Sequence, residues 1–136
     1  MENANILVVA KDRAIIDKLK NCFEDKGHQI IPAYDVSLGF FLAQKNFPHV
    51  ILCQEELKDG DAFELLGELG ADPELADIPF ILISASARTD NAELSARGIT
   101  MAITESMSDG YLISELMPLL HEAIAGRKKR QEYSPE

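Results

Sequence analysis

Five short apolar runs alternate along the chain with stretches in which apolar residues recur every three or four positions. The runs cover residues 6–9, 29–34, 49–53, 78–84 and 99–103. Runs that are continuously apolar and rich in β-branched residues are typical of strands buried on both faces of a parallel sheet. Because a parallel crossover needs a helix, the alternation predicts five βα units in an α/β fold with helices on both faces of the sheet.

Capping signals mark several ends of the predicted helices. Asp12 is predicted to be the N-cap of the first helix, and Gly27 follows its end. Ser108 or Asp109 is predicted to cap the last helix, which carries apolar residues as far as Ile124. Residues 126–136 lose this periodicity and contain four adjacent basic residues, so we expect a basic, flexible tail or a solvated helix end there.

Composition narrows the function classes. The 136 residues fit one domain, and 23 acidic against 13 basic residues give a formal charge of -10. Such a surface repels nucleic acid and anionic membranes, so neither is expected as a partner. No apolar run approaches the ~20 residues that span a bilayer. Cys22 and Cys53 lack metal-ligand spacing, which favours buried thiols and a cytoplasmic location.

From Ile6 to about residue 125 the chain resembles the receiver domain of two-component response regulators. The resemblance depends on four segments in the right order and spacing, at residues 48–54, 59–66, 78–85 and 98–106. In that family the first strand ends in an acidic pair and the third in a phospho-accepting Asp. The resemblance implies a CheY-like, flavodoxin-like fold with a doubly wound five-stranded parallel sheet of order 2-1-3-4-5. Residues 1–125 would form the domain.

Five residues take the positions of the family's phosphorylation pocket: Ala10, Lys11, Gln54, Ser84 and Glu105. Gln54 stands at the acceptor position, and an amide cannot form an aspartyl phosphate. Ala10 and Lys11 replace the acidic pair, so one position has no ligand oxygen and the other would repel Mg²⁺. Glu105 replaces a Lys and would repel a phosphoryl group. We therefore predict a pseudo-receiver with no catalytic residue, no metal and no cofactor.

Two positions of this pocket carry charges opposite to those of the family, in addition to the missing acceptor and metal ligands. We predict that Lys11 pairs with Glu105 and fixes the loops after the first and fifth strands without phosphate. The alternative is that both side chains point to solvent. A displaced acceptor or cation site is a further alternative among the neighbouring acids, although caps and solvated turns are their more ordinary roles. These acids are Asp12, Glu55, Glu56, Asp59 and Asp61.

The predicted function is phosphorylation-independent docking of a protein, such as a histidine kinase, an output domain or another regulator; a homodimer is a further candidate. The family docks partners on the face formed by the fourth helix, fifth strand and fifth helix. The candidate contacts on that face are Arg88, Asn91, Arg97, Met101 and Tyr111. Ala102 replaces the family's switch aromatic and is the candidate switch position.

Two other functions stay open. One is a phosphorelay receiver that uses an atypical acceptor, and the other is a small-ligand sensor that uses the same crevice. Against a flavin-type ligand, the loop at residues 10–13 lacks the Gly-rich and hydroxyl-rich sequence that cradles phosphate. None of the three histidines lies beside a candidate nucleophile, so hydrolase chemistry finds little support.

Overall fold

The computed structural model describes the backbone of residues 3–86 and 91–132, and the side chains of these residues as far as 127. The strands of the main sheet are β1 (Asn5–Val9), β2 (Gln29–Ala33), β3 (Val50–Gln54), β4 (Phe80–Ser84) and β5 (Met101–Thr104). The α-helices are α1 (Arg13–Phe23), α2 (Val36–Asn46), α3 (Ala62–Gly70), α4 (Asn91–Ala96) and α5 (Asp109–Glu132). Within the described ranges, no helix is long and apolar enough to cross a membrane.

The main sheet is parallel throughout and has the order β2-β1-β3-β4-β5. This confirms the predicted doubly wound sheet. The winding reverses between β1 and β3, where Val9 is in register with Cys53. Side chains of successive strand residues alternate between two cores, because Ile6 and Val8 face α1 and α5 while Leu7 and Val9 face α2 and α3. Two covered faces explain why the strands read as continuous apolar runs.

The helix α2 packs closely against β1 at Gly39. A side chain in place of Gly39 would put its Cβ 3.0 Å from a Val9 methyl group, so the Val9 side chain would have to shift by a few tenths of an ångström. The helix begins at Asp35, whose carboxylate accepts a hydrogen bond from the backbone N–H of Leu38 at 2.8 Å. It ends at Phe47, which adopts a left-handed conformation with φ 46°. Its buried residues are Val36, Gly39 and Ala43, and Phe40 and Leu42 pack partly against the same core.

The last helix differs from the prediction. We expected a flexible tail from residue 126, whereas α5 continues through the basic segment as far as Glu132. Lys and Arg are good helix formers, and their charge is favourable at a helix C-terminus. These two effects extend the helix beyond its last apolar residue. The backbone is therefore helical as far as Glu132. At the other end Ser108 is the cap, since its Oγ accepts from the backbone N–H of Tyr111 at 3.2 Å.

Arg127 joins α5 to the turn between α2 and β3. Its guanidinium donates to the carbonyl oxygens of Phe47 at 2.6 Å and Pro48 at 2.8 Å. These carbonyls follow the end of α2, so the bidentate donor satisfies groups that the helix leaves unpaired.

We predict that Arg127→Met lowers the free energy of unfolding by about 1 to 2 kcal/mol, because it removes two charge-assisted hydrogen bonds while keeping most of the apolar stem. Arg127→Lys should recover only part of this loss, since one ammonium group cannot reproduce the fork. Urea unfolding followed by circular dichroism measures both variants. Equal stability of Arg127→Met and wild type would show that the contact contributes nothing.

Candidate functional site

A crevice of about 420 Å³ opens at the carboxyl ends of the strands, where the winding of the sheet reverses. It is lined by Lys11, Asp12, Gln54, Glu55, Glu56, Ser84, Ala85, Ser86 and Glu105. The structure thus brings together four of the five predicted pocket residues in the lining. The fifth, Ala10, is fully buried directly before Lys11. Among these lining residues Lys11 is the only cation beside four carboxylates, so the crevice disfavours anionic ligands.

Gln54 is the centre of the site. Its side chain is only 3% exposed at the end of β3. The amide oxygen accepts from the backbone N–H groups of Lys11 at 2.9 Å and Asp12 at 3.3 Å. The amide nitrogen donates to Asp12 Oδ2 at 2.7 Å and to Glu105 Oε2 at 3.2 Å. One neutral side chain at the end of β3 therefore joins the loops that follow β1 and β5.

The surroundings fix the orientation of this amide. Backbone N–H groups only donate, so the amide oxygen must face Lys11 and Asp12; ionised carboxylates only accept, so the NH₂ group must face Asp12 and Glu105. Both N–H bonds and the oxygen of Gln54 are used. A carboxylate at position 54 would face two other carboxylates instead. The site is complementary to an amide.

The predicted pair between Lys11 and Glu105 is wrong. Lys11 Nζ lies 3.7 Å from Glu56 Oε2, in the short antiparallel hairpin of Glu56–Leu57 and Gly60–Asp61 that follows β3. Glu105 is held by Gln54 instead. No Lys11–Glu105 ion pair occurs, and both residues belong to the described part of the chain. Side-chain exposures of 35% for Lys11 and 83% for Glu56 place their pair in solvent, where it contributes little. The loops are joined as expected, but through Gln54.

Ser84 and Asp12 have local partners that the sequence did not predict. Ser84 Oγ donates to Glu55 Oε1 at 3.0 Å, which connects the ends of β3 and β4. Asp12 takes the N-cap position of α1 without making a side-chain cap, because its carboxylate accepts from Gln54 instead. The cap prediction for Asp12 is therefore correct in position and wrong in contact.

The acids considered as displaced acceptors have structural contacts. Asp59 accepts from the backbone N–H groups of Val36 at 2.8 Å and Ser37 at 3.2 Å, and so caps α2 from the neighbouring loop. The hydrogen bond from Val36 is the main cause that lowers the pKa of Asp59. Asp61 accepts from the backbone N–H of Glu64 at 2.9 Å and caps α3. Capping is the ordinary role expected for acids at these positions.

The fold family implies Mg²⁺ at this edge, and the residues present do not fit it. Ala10 provides no ligand oxygen, and Lys11 brings an ammonium group to the same loop. The amide nitrogen of Gln54 faces the two carboxylates that would otherwise approach a cation. In the described ranges, no group of three His, Cys, Asp or Glu side chains is arranged to hold a metal ion.

The predicted docking face is partly engaged within the molecule. Arg88 lies outside the described residues. Asn91 is exposed at the start of α4, and the Arg97 guanidinium lies 4.0 Å from the centre of the Phe63 ring. Met101 packs against the core beside α5, while Tyr111 is 50% exposed. Ala102, the candidate switch position, is partly buried against the opposite core.

Two histidines form contacts at the amino ends of the strands, on the side of the sheet opposite the crevice. The sequence predicted only structural or surface roles for them. His28 Nδ1 accepts from the backbone N–H of Ala4, and His49 Nδ1 accepts from that of Asn5, both at 3.0 Å. Burial is the main cause that lowers the pKa of each imidazole. Both rings therefore hold β1 in their neutral form.

Comparisons with known proteins agree with this geometry, although no family model matches the chain. The chain is similar to the protein PilH of Pseudomonas aeruginosa, with 25% identity over 118 residues that cover 86% of this chain and 98% of PilH. The receiver domain of the Francisella response regulator 1452 superposes with a TM-score of 0.78 and 27% identity, over 88% of this chain and 98% of that one. The signal receiver domain of a LuxO repressor protein from Vibrio parahaemolyticus gives a TM-score of 0.83 at 13% identity, over 98% and 99%.

Proposed function

We propose that this chain, which has the fold of a CheY-like response-regulator receiver domain, signals by docking a protein partner without being phosphorylated. The observation that carries the proposal is the contact set of Gln54. Its amide occupies the end of β3 and hydrogen-bonds to the loops after β1 and β5. An amide is no nucleophile toward phosphorus, and it joins these loops without a phosphoryl group.

The electrostatics of the crevice support the same proposal. A phosphoryl donor would meet four carboxylates and a single ammonium group among the lining residues. Phosphoryl transfer depends on cations that balance the charge of the transferred group, and this crevice has the opposite sign. We infer that the domain is not an enzyme and has no resident metal. Its two buried free thiols suit the reducing conditions of a cytoplasmic protein.

Partner docking is proposed for the face that includes Asn91, Arg97, Met101 and Tyr111. The support is a likeness of fold together with the exposure of Tyr111, a residue type that is frequent at interface centres. A histidine kinase, an output domain or another regulator is the proposed class of partner. Ala102 removes the bulk of a switch aromatic, so this face would keep one conformation.

The proposal predicts that acetyl phosphate and Mg²⁺ give no phosphoryl adduct on the full chain, as measured by intact mass spectrometry, while a receiver with an Asp acceptor is modified in a parallel reaction. Partner capture should be the same before and after this treatment, and Tyr111→Glu should reduce it. A phosphoryl adduct that disappears in Asp12→Asn or Glu55→Gln would overturn the proposal and favour a phosphorelay receiver with an atypical acceptor.

A further inference from the structure

The exposed apolar surface concentrates around α2. Five large hydrophobic side chains are exposed within the described residues: Tyr34, Leu38, Phe41, Phe47 and Tyr111. Only Tyr111 lies on the docking face discussed above. Leu38, Phe41 and Lys45 recur at intervals of three and four residues on one side of α2, and Tyr34 directly precedes the N-cap of this helix. We call Tyr34, Leu38, Phe41 and Lys45 the α2 patch.

The inner side of α2 is filled by other residues than those of the patch. Val36, Gly39 and Ala43 are buried, and Phe40 and Leu42 pack partly against the same core. Leu38 and Phe41 lie on the outer side, where Phe41 is 55% exposed. A helix that is apolar on both sides is typical of an element covered on both sides.

The charge distribution points in the same direction. Residues 36–48 contain one charged side chain, Lys45, in a chain whose formal charge is -10. Its ammonium lies 5.9 Å from the centre of the Phe41 ring. The centres of protein interfaces are enriched in aromatic residues and depleted of charge. The α2 patch has this composition, and two copies with the same negative charge meet the least repulsion there.

We propose that the α2 patch binds the same patch of a second copy of this chain, with the two α2 helices antiparallel. Phe41 is the middle residue of the helix, so a two-fold axis through it places the two Phe41 rings together. The same axis places Lys45 of one copy beside the first turn of α2 in the other. That turn carries the Asp59 carboxylate, which is held on the backbone N–H groups of Val36 and Ser37.

Charge complementarity selects this arrangement. Each α2 has its cation at the C-terminal end and the carboxylates of Asp35 and Asp59 at the N-terminal end. In an antiparallel pair, Lys45 of each copy lies next to the acidic N-terminal end of α2 in the other copy, whereas a parallel pair would place like charges together. The inference goes beyond the proposed function, because it uses neither the crevice nor the face of α4, β5 and α5.

Sedimentation velocity of the full chain over a series of concentrations tests the proposal. Wild type should associate to a dimer, and Phe41→Glu should raise the dissociation constant by about tenfold or more, because it places two carboxylates at the centre of the contact. Asn21→Glu is the control, since it introduces the same carboxylate at an exposed position of α1. It should dimerise like wild type, and circular dichroism verifies that both variants are folded.

A second pair of variants separates local contact from overall repulsion. Lys45→Glu and Lys26→Glu change the net charge equally, and both lysines are exposed. Only Lys45→Glu should weaken the dimer. A chain that stays monomeric at every concentration would overturn the proposal, as would a dimer that Tyr111→Glu disrupts and Phe41→Glu leaves intact.

Discussion

Replacing Gln54 by Glu should lower the free energy of unfolding by about 2 to 3 kcal/mol at neutral pH, although the two side chains have nearly the same shape. The new carboxylate would take the place of the amide nitrogen, which lies 2.7 Å from Asp12 Oδ2 and 3.2 Å from Glu105 Oε2. Two hydrogen bonds would become two repulsive contacts. Asp12 and Glu105 reach solvent, which screens the repulsion and limits the loss.

This loss should depend on pH. Mutual repulsion raises the folded-state pKa of a carboxyl group above its unfolded value of about 4.3, so the group destabilises the fold at pH values above the folded pKa. As the pH falls through that pKa, one carboxyl binds a proton and can donate a hydrogen bond again. The difference in stability between wild type and Gln54→Glu should therefore shrink as the pH falls from 7 toward about 5. Urea unfolding at several pH values measures it.

Two further variants make the result specific. Gln54→Leu keeps the approximate volume but leaves the backbone N–H groups of Lys11 and Asp12 without their acceptor, so its loss should not recover on acidification. Gln29→Glu makes the same chemical change at an exposed position in β2 and should stay within about 0.5 kcal/mol of wild type. A pH-independent loss in Gln54→Glu would contradict the carboxylate cluster as its cause.

The predicted behaviour bears on how the site works. In a receiver with an Asp acceptor, the negative charges of the pocket are balanced by a cation, and the structure responds when phosphate arrives. Here a neutral amide takes part in the balance, because both of its ends are hydrogen-bonded. The proposed function predicts that the loops after β1 and β5 keep one arrangement, which suits constant docking better than switching.

The sheet could be predicted because the signal for each buried strand lies within that strand's own sequence. Each buried strand is a continuous apolar run, and the run 50–53 can be identified as a strand without knowing which strands it pairs with. The positions at the strand ends followed from the same register, so the crevice residues were predicted before their contacts were known. The end of α5 could not be predicted from apolar periodicity, since residues 126–132 form a helix through propensity and charge.

The contacts within the crevice depend on loop geometry that no pattern in the sequence encodes. Lys11 has a long flexible side chain, and opposite charges on two loops do not specify which carboxylate it reaches. It meets Glu56 because the short hairpin after β3 lies beside the β1 loop. Gln54, by contrast, is short and buried, so its partners are fixed by the backbone. A hydrogen-bond requirement for a buried amide was the signal that could have identified it.

Acidification should destabilise the wild-type fold through two histidines at the amino ends of the strands, opposite the crevice. His28 and His49 each accept a backbone N–H bond on Nδ1, and protonation of that nitrogen would turn the acceptor into a donor facing a donor. Burial lowers the folded-state pKa of both imidazoles below the unfolded value of about 6.5. The unfolded chain then binds more protons, so stability is present above about pH 6.5 and is lost as the pH falls below it.

The expected slope is up to about 1.4 kcal/mol per pH unit for each histidine between pH 6.5 and its folded-state pKa. His28→Asn and His49→Asn test the cause, because Asn Oδ1 can take the place of Nδ1 as the acceptor but does not titrate. Each variant should flatten the slope, and the double variant should remove most of it. His28→Asn should also lose about 1 to 2 kcal/mol at pH 7, since the buried ring that lies 6.4 Å from Phe23 becomes smaller.

His121→Asn tests the smaller cause of the lowered pKa of His28, which is the charge of His121 on α5. Because burial is the main cause, this variant should leave most of the slope unchanged. A double variant that keeps the wild-type slope just below pH 6.5 would contradict the two histidines as its cause. Asp59 cannot produce a slope there, because its contacts with α2 lower its pKa and it contributes only below the unfolded value of about 3.9. The two ends of the strands should thus respond to protons in opposite ways. Acid should weaken the wild-type contacts of β1 with His28 and His49, whereas it should relieve the repulsion that Gln54→Glu introduces in the crevice. One set of pH-dependent unfolding curves can therefore separate the two effects.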